Sequence, residues 1–471
     1  MNNNITRLPL CSLASVLTQA NRADSLFAFG SAGDKTWSHF GNDVHLYSLW
    51  LSGKSQTRWA ICIHDSYWFS VAFFALSYAS KELVLPGNHQ PEAIRELSSE
   101  FDALIHDKAI FTPNLMALDG VEVFNIASEL TVSVPQSNLA SELNLDSVKV
   151  TLFTSGSSGK PKAVAKTLSH FNHEIAQLEQ IWGEEIGYSR VQSTVSHQHI
   201  YGLLFRLLWP ICAQRPFARE NLDYPEQVIS HADKQSILVS SPALLKRLNV
   251  ESSNSDYKTV FSSGGPLSPK AAIQSEELLG SLPYEVFGST ETGGIGYRQQ
   301  FTEMTPWQLF PDVKARLNVE GCIALQSGHI DPDNWYQTSD QCELFADGSF
   351  LLKGRTDRII KIEEKRISLV EVEARLQGLE WIEEAAVITI ETSVRLELVA
   401  VITLSEHGNA QLVSIGKGQF WINIRKSLRQ WLEPIAIPRR YRILDDIPLN
   451  SQGKRLVKEI ESLFHHNSNM G

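Results

Sequence analysis

Residues 151–164 read TLFTSGSSGKPKAV. An alternating, strand-like run ends in Thr154, Ser155, Gly156, Ser157, Ser158, Gly159 and Lys160, a loop of small hydroxyl residues and glycines closed by a cation. Such a loop lets backbone N–H groups and hydroxyls converge on a polyanion, and Lys160 adds a charge-assisted donor. The P-loop of nucleoside triphosphatases has four residues between its first glycine and the Gly-Lys pair, and Ser or Thr follows. Here only Ser157 and Ser158 separate Gly156 from Gly159, and Pro161 follows Lys160. The pattern therefore points to a different phosphate cradle. Standing alone, the same residues would also make a plain Ser/Gly turn.

Strand and helix signals alternate on both sides of this loop. Arg58–His64, Glu82–Pro86 and Phe101–Ile105 read as strands and Tyr67–Ala79 as an apolar helix. After the loop, Ser169 reads as the N-cap of a helix in which Phe171, Ile175, Leu178 and Trp182 recur at helical spacing. Ser236–Val239, Thr259–Ser262 and Tyr284–Phe287 read as further strands running into turns. The alternation predicts an α/β fold with a large N-terminal domain of mostly parallel sheets flanked by helices. Ligands gather at strand C-termini in such sheets, where each glycine- or hydroxyl-rich segment falls. The C-terminal part reads differently. Ser368 and Glu371 form a capping-box signature for a helix through Gln377, Ala385–Ile390 and Leu396–Leu404 read as strands, and Gln419–Leu432 as a helix. This is a small α+β unit, which divides the chain into domains at 1–354 and 358–471 with a joint at 355–357.

At 471 residues the chain needs more than one core, and 43% hydrophobic content supports them. A net charge of −11 disfavours a nucleic-acid partner held by a general basic field. Cys11, Cys62, Cys212, Cys322 and Cys342 are scattered without a C-x-x-C pair, which fits neither a disulfide framework nor a zinc site. The first residues lack the apolar core of a secretory signal, and the apolar window Trp68–Leu76 is too short for a membrane span, so a cytoplasmic protein is expected.

Four further segments supply the parts of a nucleotide site. In FSSGGPLSP, Gly264 and Gly265 end a strand and let a flat base lie against bare backbone. In VFGSTETGG, Thr290 and Glu291 project from a glycine-flanked turn, a hydroxyl and a carboxylate suited to magnesium beside a polyphosphate. In YQTSDQCEL, Asp340 can accept both hydroxyls of a ribose, and Arg355 after Gly354 can reach sugar or phosphate. In PLNSQGKRLVKEI, Lys454 stands on a glycine-containing turn that can push a long cation into a cleft. Each alone is also an ordinary turn or a solvated charge.

Their order gives them weight. The chain resembles the adenylate-forming superfamily of acyl-CoA synthetases, peptide-synthetase adenylation domains and luciferases from about Arg58 to Lys458. The family pattern Thr-Ser-Gly-(Ser/Thr)-(Ser/Thr)-Gly-x-Pro-Lys matches Thr154 to Lys162. (Tyr/Phe)-Gly-x-Thr-Glu matches Phe287 to Glu291, Gly-Arg-x-Asp matches Gly354 to Asp357, and Pro-x-x-x-x-Gly-Lys matches Pro448 to Lys454. Tyr-x-Thr-Gly-Asp matches Tyr336 to Asp340 except at Ser339.

The resemblance implies a ligase that uses ATP and Mg2+. A carboxylate, aryl or fatty, attacks the α-phosphorus, pyrophosphate leaves, and the acyl-adenylate passes its acyl group to a thiol of coenzyme A or an acyl carrier protein. It implies that Thr154 to Lys162 hold the departing phosphates, Thr290 touches the α-phosphate, Glu291 binds the metal, and Asp340 with Arg355 hold the ribose. Gly264 and Gly265 would lie by the adenine, and Lys454 would bridge the carboxylate and α-phosphate. Asp357 matches the hinge of a mobile C-terminal domain. His199 matches a residue near the carboxylate pocket that Tyr201 would line. After the hinge, Ile362, Glu363, Glu364 and Lys365 replace a glycine-containing loop of relatives. Two basic clusters, Arg358, Lys361, Lys365 and Arg366 and then Arg439, Arg440 and Arg442, suit an acidic carrier protein or a solvated face. The compact length and this hinge region resemble the aryl-acid ligases of aryl-polyene biosynthesis. The alternative is a non-catalytic nucleotide- or carrier-binding module on the same fold.

Overall fold

The computed structural model describes residues 9–18, 23–87, 89–107, 118, 120–126, 141–155, 161–248, 255–265, 267–302, 304–355, 358–363, 365–392, 395–448 and 457–465. Contacts divide the chain into two compact units. One comprises Met1–Gly87, Ser98–Thr154 and Ala163–Thr356, and the other Asn88–Leu97, Ser155–Lys162 and Asp357–Gly471.

The first unit holds two sheets, apart from Ser155, Pro161 and Lys162 at the strand ends of the smaller one. The smaller has six strands in the order Glu122–Asn125, Ala103–His106, Arg58–Cys62, Glu82–Leu85, Lys149–Ser155 and Pro161–Thr167. Its first five pair in parallel. Trp59, Ile61 and Ile63 pack with Phe69, Phe73 and Phe74 of the helix Ser66–Tyr78. Asp65 starts that helix by accepting the N–H groups of Tyr67 and Trp68.

The larger sheet has thirteen strands. Arg190–Ser193, Ser236–Ser240, Thr259–Ser263 and Tyr284–Ser289 lie side by side in parallel register. From Gly293 onward the sheet turns antiparallel, through Gly293–Gln299, Trp307–Leu309, Ser349–Arg355, Asp331–Leu344, Cys322–Ser327 and Lys314–Leu317. That antiparallel half is an addition to the parallel sheet expected from the sequence. The five cysteines are buried thiols, and among the described residues no helix is long and apolar enough to cross a membrane.

The helix after the Ser/Gly-rich loop spans Leu168–Ile186, and its N-cap is Thr167 rather than Ser169. The strand Pro161–Thr167 runs straight into the helix, Leu168 is fully buried, and the Thr167 N–H donates to His170 Nδ1 at 3.1 Å. Ser169 is therefore already inside the first turn.

In the second unit, Ile382–Glu391, Leu396–Leu404 and Arg440–Ile443 form a three-stranded sheet. Alternate residues cover both faces: Ala385 and Val387 pack with Phe420, Ile424 and Leu428, while Ala386 and Ile388 pack with Ile460 and Phe464. Ser368 caps the helix Leu369–Gln377 by accepting the Glu371 N–H at 3.2 Å. The helix expected over Gln419–Leu432 corresponds to the second of two helical segments within Glu406–Leu428, which Gly416 separates at a kink with φ +75° and ψ 159°. Gly408, Gly416 and Gly418 dilute its helical signal, but Gly408 is required because a Cβ would collide with the Trp381 carbonyl.

Candidate active site

The parallel strands of the larger sheet finish at a common edge, and two predicted site segments leave adjacent strands there. Gly264 follows Thr259–Ser263 with φ +91°, a left-handed turn that side chains disfavour. Its neighbouring strand, Tyr284–Ser289, enters a tight turn closed by reciprocal bonds. Ser289 N–H donates to Thr292 Oγ1 at 3.1 Å, and Thr292 N–H to Ser289 Oγ at 3.2 Å. Thr290 and Glu291 take the tip of this turn, the first buried and the second half-buried. A Cβ on Gly288 would collide with the Gly293 carbonyl, which explains why the turn is flanked by glycine.

Asp340 and Arg355 are direct cross-strand partners between Asp331–Leu344 and Ser349–Arg355. Asp340 is buried, and its N–H donates to Thr338 Oγ1, which in turn donates to the Ile323 carbonyl.

Thr154 lies near the end of the strand Lys149–Ser155. Its hydroxyl oxygen is buried without a hydrogen-bond partner among the described residues, the condition expected of a group awaiting a ligand. His199 lies close by. A Cβ on Gly87 would collide with the Phe153 carbonyl and stand 4.0 Å from His199 Cε1. In the same run His197 is structural: Nε2 faces the Ile63 carbonyl at 2.8 Å, Nδ1 faces Ser66 Oγ at 3.1 Å, and the ring lies 4.3 Å from that of Phe69. Lys162 is exposed on the strand Pro161–Thr167. Gly156, Ser157, Ser158, Gly159, Lys160, Asp357 and Lys454 lie outside the described residues, as do the side chains of Ser155 and Arg355. A polar recess lined by His170, His173, Asp312 and Lys314 contains none of the predicted residues.

The family model for AMP-binding enzymes matches residues 17–333, two thirds of the chain. The chain belongs to the AMP-binding enzymes. This AMP-binding enzyme is 25% identical over 317 residues to 4-coumarate--CoA ligase of Cereibacter sphaeroides, covering 65% of this chain and 70% of that one. It is 24% identical over 402 residues to D-alanine--D-alanyl carrier protein ligase of Staphylococcus aureus, covering 74% and 78%. The fold resembles that of o-succinylbenzoate CoA synthetase from Bacillus subtilis, with a TM-score of 0.81 at 15% identity over 95% of this chain and 98% of that one.

Around the acidic turn of this AMP-binding enzyme is a buried polar group that sequence motifs did not reveal. Lys166 Nζ donates to the carbonyls of Glu291 and His329, and Glu174 accepts the Gly294 N–H. Burial pushes the Lys166 ammonium below its ordinary value, with the Glu174 and Glu291 carboxylates acting against that shift. Burial also lowers His329. The signal was present in the strand periodicity: Lys166 shares the inward face with Val164, an anomalous place for a lysine.

The second unit accounts for the departures after Arg355. Ile359–Ile362 and Lys365–Ser368 form a hairpin, and Glu363 in its turn has φ +55°, a conformation that glycine adopts more easily. Much of the two basic clusters is engaged inside this unit. Arg358 forms a bidentate pair with Glu373, Lys365 pairs with Glu433 at 3.1 Å, and Arg442 donates to the Leu463 carbonyl. Arg358 and Lys365 thus have carboxylate partners within the unit, whereas Arg442 meets carbonyls.

Proposed function

We propose that this AMP-binding enzyme is an ATP-dependent acid–thiol ligase. The observation that carries the reading is the arrangement of nucleotide-binding segments on strand ends: Gly264 and the Thr290–Glu291 turn leave adjacent parallel strands, and Asp340 stands opposite Arg355. The unpartnered hydroxyl of Thr154 adds a buried donor suited to a phosphate oxygen.

In the first half-reaction a carboxylate oxygen forms a bond to the α-phosphorus of ATP, and the bond to the β-phosphate oxygen breaks, releasing pyrophosphate. Thr154, Ser155 and the loop through Lys162 bind the departing phosphates, while Thr290 bonds the α-phosphate. Asp340 accepts the ribose hydroxyls beside Arg355, and Gly264 and Gly265 face the adenine. Glu291 would hold Mg2+, which supplies charge neutralisation on the phosphates. Among the described residues no group of three His, Cys, Asp or Glu side chains forms a metal cluster. One carboxylate suffices for a hard cation that takes its other oxygens from phosphate and water. Lys454 neutralises the charge developing between carboxylate and α-phosphate, an electrostatic role without proton transfer.

In the second half-reaction a thiol of coenzyme A or an acyl carrier protein attacks the acyl carbon, and AMP leaves. Rotation about Asp357 would withdraw Lys454 between the two steps. His199 and Tyr201 line the acid pocket.

The test is acid-dependent exchange of pyrophosphate into ATP across aryl and fatty acids. The unmodified enzyme is expected to exchange with at least one class, and Lys454→Ala to lower that rate by about 10²-fold while still converting supplied adenylate to thioester. ATP binding without exchange for any acid would favour the non-catalytic binding module.

A further inference from the structure

The backbone of the turn carrying Thr290 and Glu291 is gripped from the interior at three atoms by side chains that the roles above leave unused. Lys166 Nζ donates to the Glu291 carbonyl at 3.2 Å and to the His329 carbonyl at 3.0 Å. Glu174 Oε1 accepts the Gly294 N–H at 2.7 Å. His329 Nε2 meets the Gly294 carbonyl at 2.8 Å. A carbonyl only accepts, so Nε2 carries the proton, and Nδ1 is the acceptor for Gln177 Nε2 at 2.8 Å and Ser327 Oγ at 3.0 Å. Lys166, Glu174 and His329 are 4%, 2% and 0% exposed.

The fit leaves no slack. A Cβ on Gly293 would collide with the Glu174 carboxylate, and one on Gly294 with the Phe310 ring. Burying a lysine is costly, and an apolar side chain beside Val164 would fill the same space without that cost. An apolar side chain could not hold the Glu291 carbonyl at a fixed place relative to the strand Pro161–Thr167. That strand is the exit of the Thr154–Lys162 loop, whereas the acidic turn belongs to the other sheet. The bond from Lys166 to Glu291 therefore ties the acidic turn to a strand of the other sheet.

We propose that Lys166, Glu174 and His329 are positioning residues that fix the backbone of the Thr290–Glu291 turn against the strand end that carries Lys166. The inference rests on the assignment of Thr290 and Glu291 to ATP. In full-length Lys166→Met, the half-saturating concentration of magnesium and ATP in pyrophosphate exchange is expected to rise about tenfold or more, because a displaced charge loses its alignment. The half-saturating acid concentration is expected to stay within about twofold, since the acid is assigned to His199 and Tyr201 instead. Hydrogen exchange at the Gly294 amide should accelerate while the amides of Ile237 to Val239 keep their protection. Lys166→Arg, which retains the charge and donors, should recover part of the ATP affinity. An unchanged ATP requirement with unchanged Gly294 exchange would overturn the proposal. Loss of protection throughout both sheets would also overturn it, because Lys166 would then be a general stabilising residue. The amide measurement needs no turnover, so it reads the brace even if the unmodified protein fails to exchange pyrophosphate.

Discussion

Thr154 separates folding from ligand binding at the level of one atom. Its buried hydroxyl has no partner among the described residues, so it carries a desolvation cost that none of them compensates with a bond. Thr154→Val, close in shape, is expected to leave the melting temperature unchanged or slightly raised. In the proposed site the same change removes a hydrogen bond to a charged phosphate, a contribution of about 1.5–3 kcal/mol. The half-saturating ATP concentration should therefore rise roughly 10- to 100-fold. Thermal melts and ATP titrations of the pair check this, and a destabilised variant with native ATP affinity would remove the hydroxyl from the site. Thr154 stands out in the sequence because a phosphate-binding reading draws on consecutive residues of one loop. Lys166 was not legible through motifs, because its partners lie 125 and 163 residues away and only folding brings them together.

At the scale of elements, the helix Leu369–Gln377 carries a pH response. Burial raises the Glu371 carboxyl to about 7, Glu96 and Glu433 act in the same direction, and Arg375 opposes them. The folded state thus binds this proton more tightly than the unfolded chain, whose carboxyl titrates near 4.5. The stabilisation is complete below pH 4.5 and is lost as the pH rises through 7. Glu371→Gln removes the titration. The variant is expected to be more stable than the native chain at pH 8 by roughly 2 kcal/mol, after allowance for partial solvent access, and to match it near pH 4.5. Denaturant melts at both values measure the difference, and a pH-independent gap would remove Glu371 as its source. Sequence located this helix and its Ser368 cap because capping is local. It missed the helical segment that precedes the Gly416 break, where Gly408, required by contact with Trp381, weakens the helical signal.

For the whole molecule, alternation of strands and helices conveyed the parallel part of both sheets, since each βα unit repeats within a short span. The antiparallel part from Gly293 to Arg355 was less legible. Its strands pair out of chain order, with Trp307–Leu309 beside Ser349–Arg355, and no periodicity encodes that choice. Yet this part brings Asp340 opposite Arg355, so the proposed ribose site depends on topology as much as on motif. The proposed chemistry turns on which phosphorus the acid attacks. An acid that supports pyrophosphate exchange, labelled with ¹⁸O in its carboxyl group, should be turned over with ATP and a thiol acceptor, and the products analysed by mass spectrometry. Attack at the α-phosphorus predicts AMP carrying one ¹⁸O and unlabelled pyrophosphate. Formation of ADP with labelled orthophosphate would contradict it.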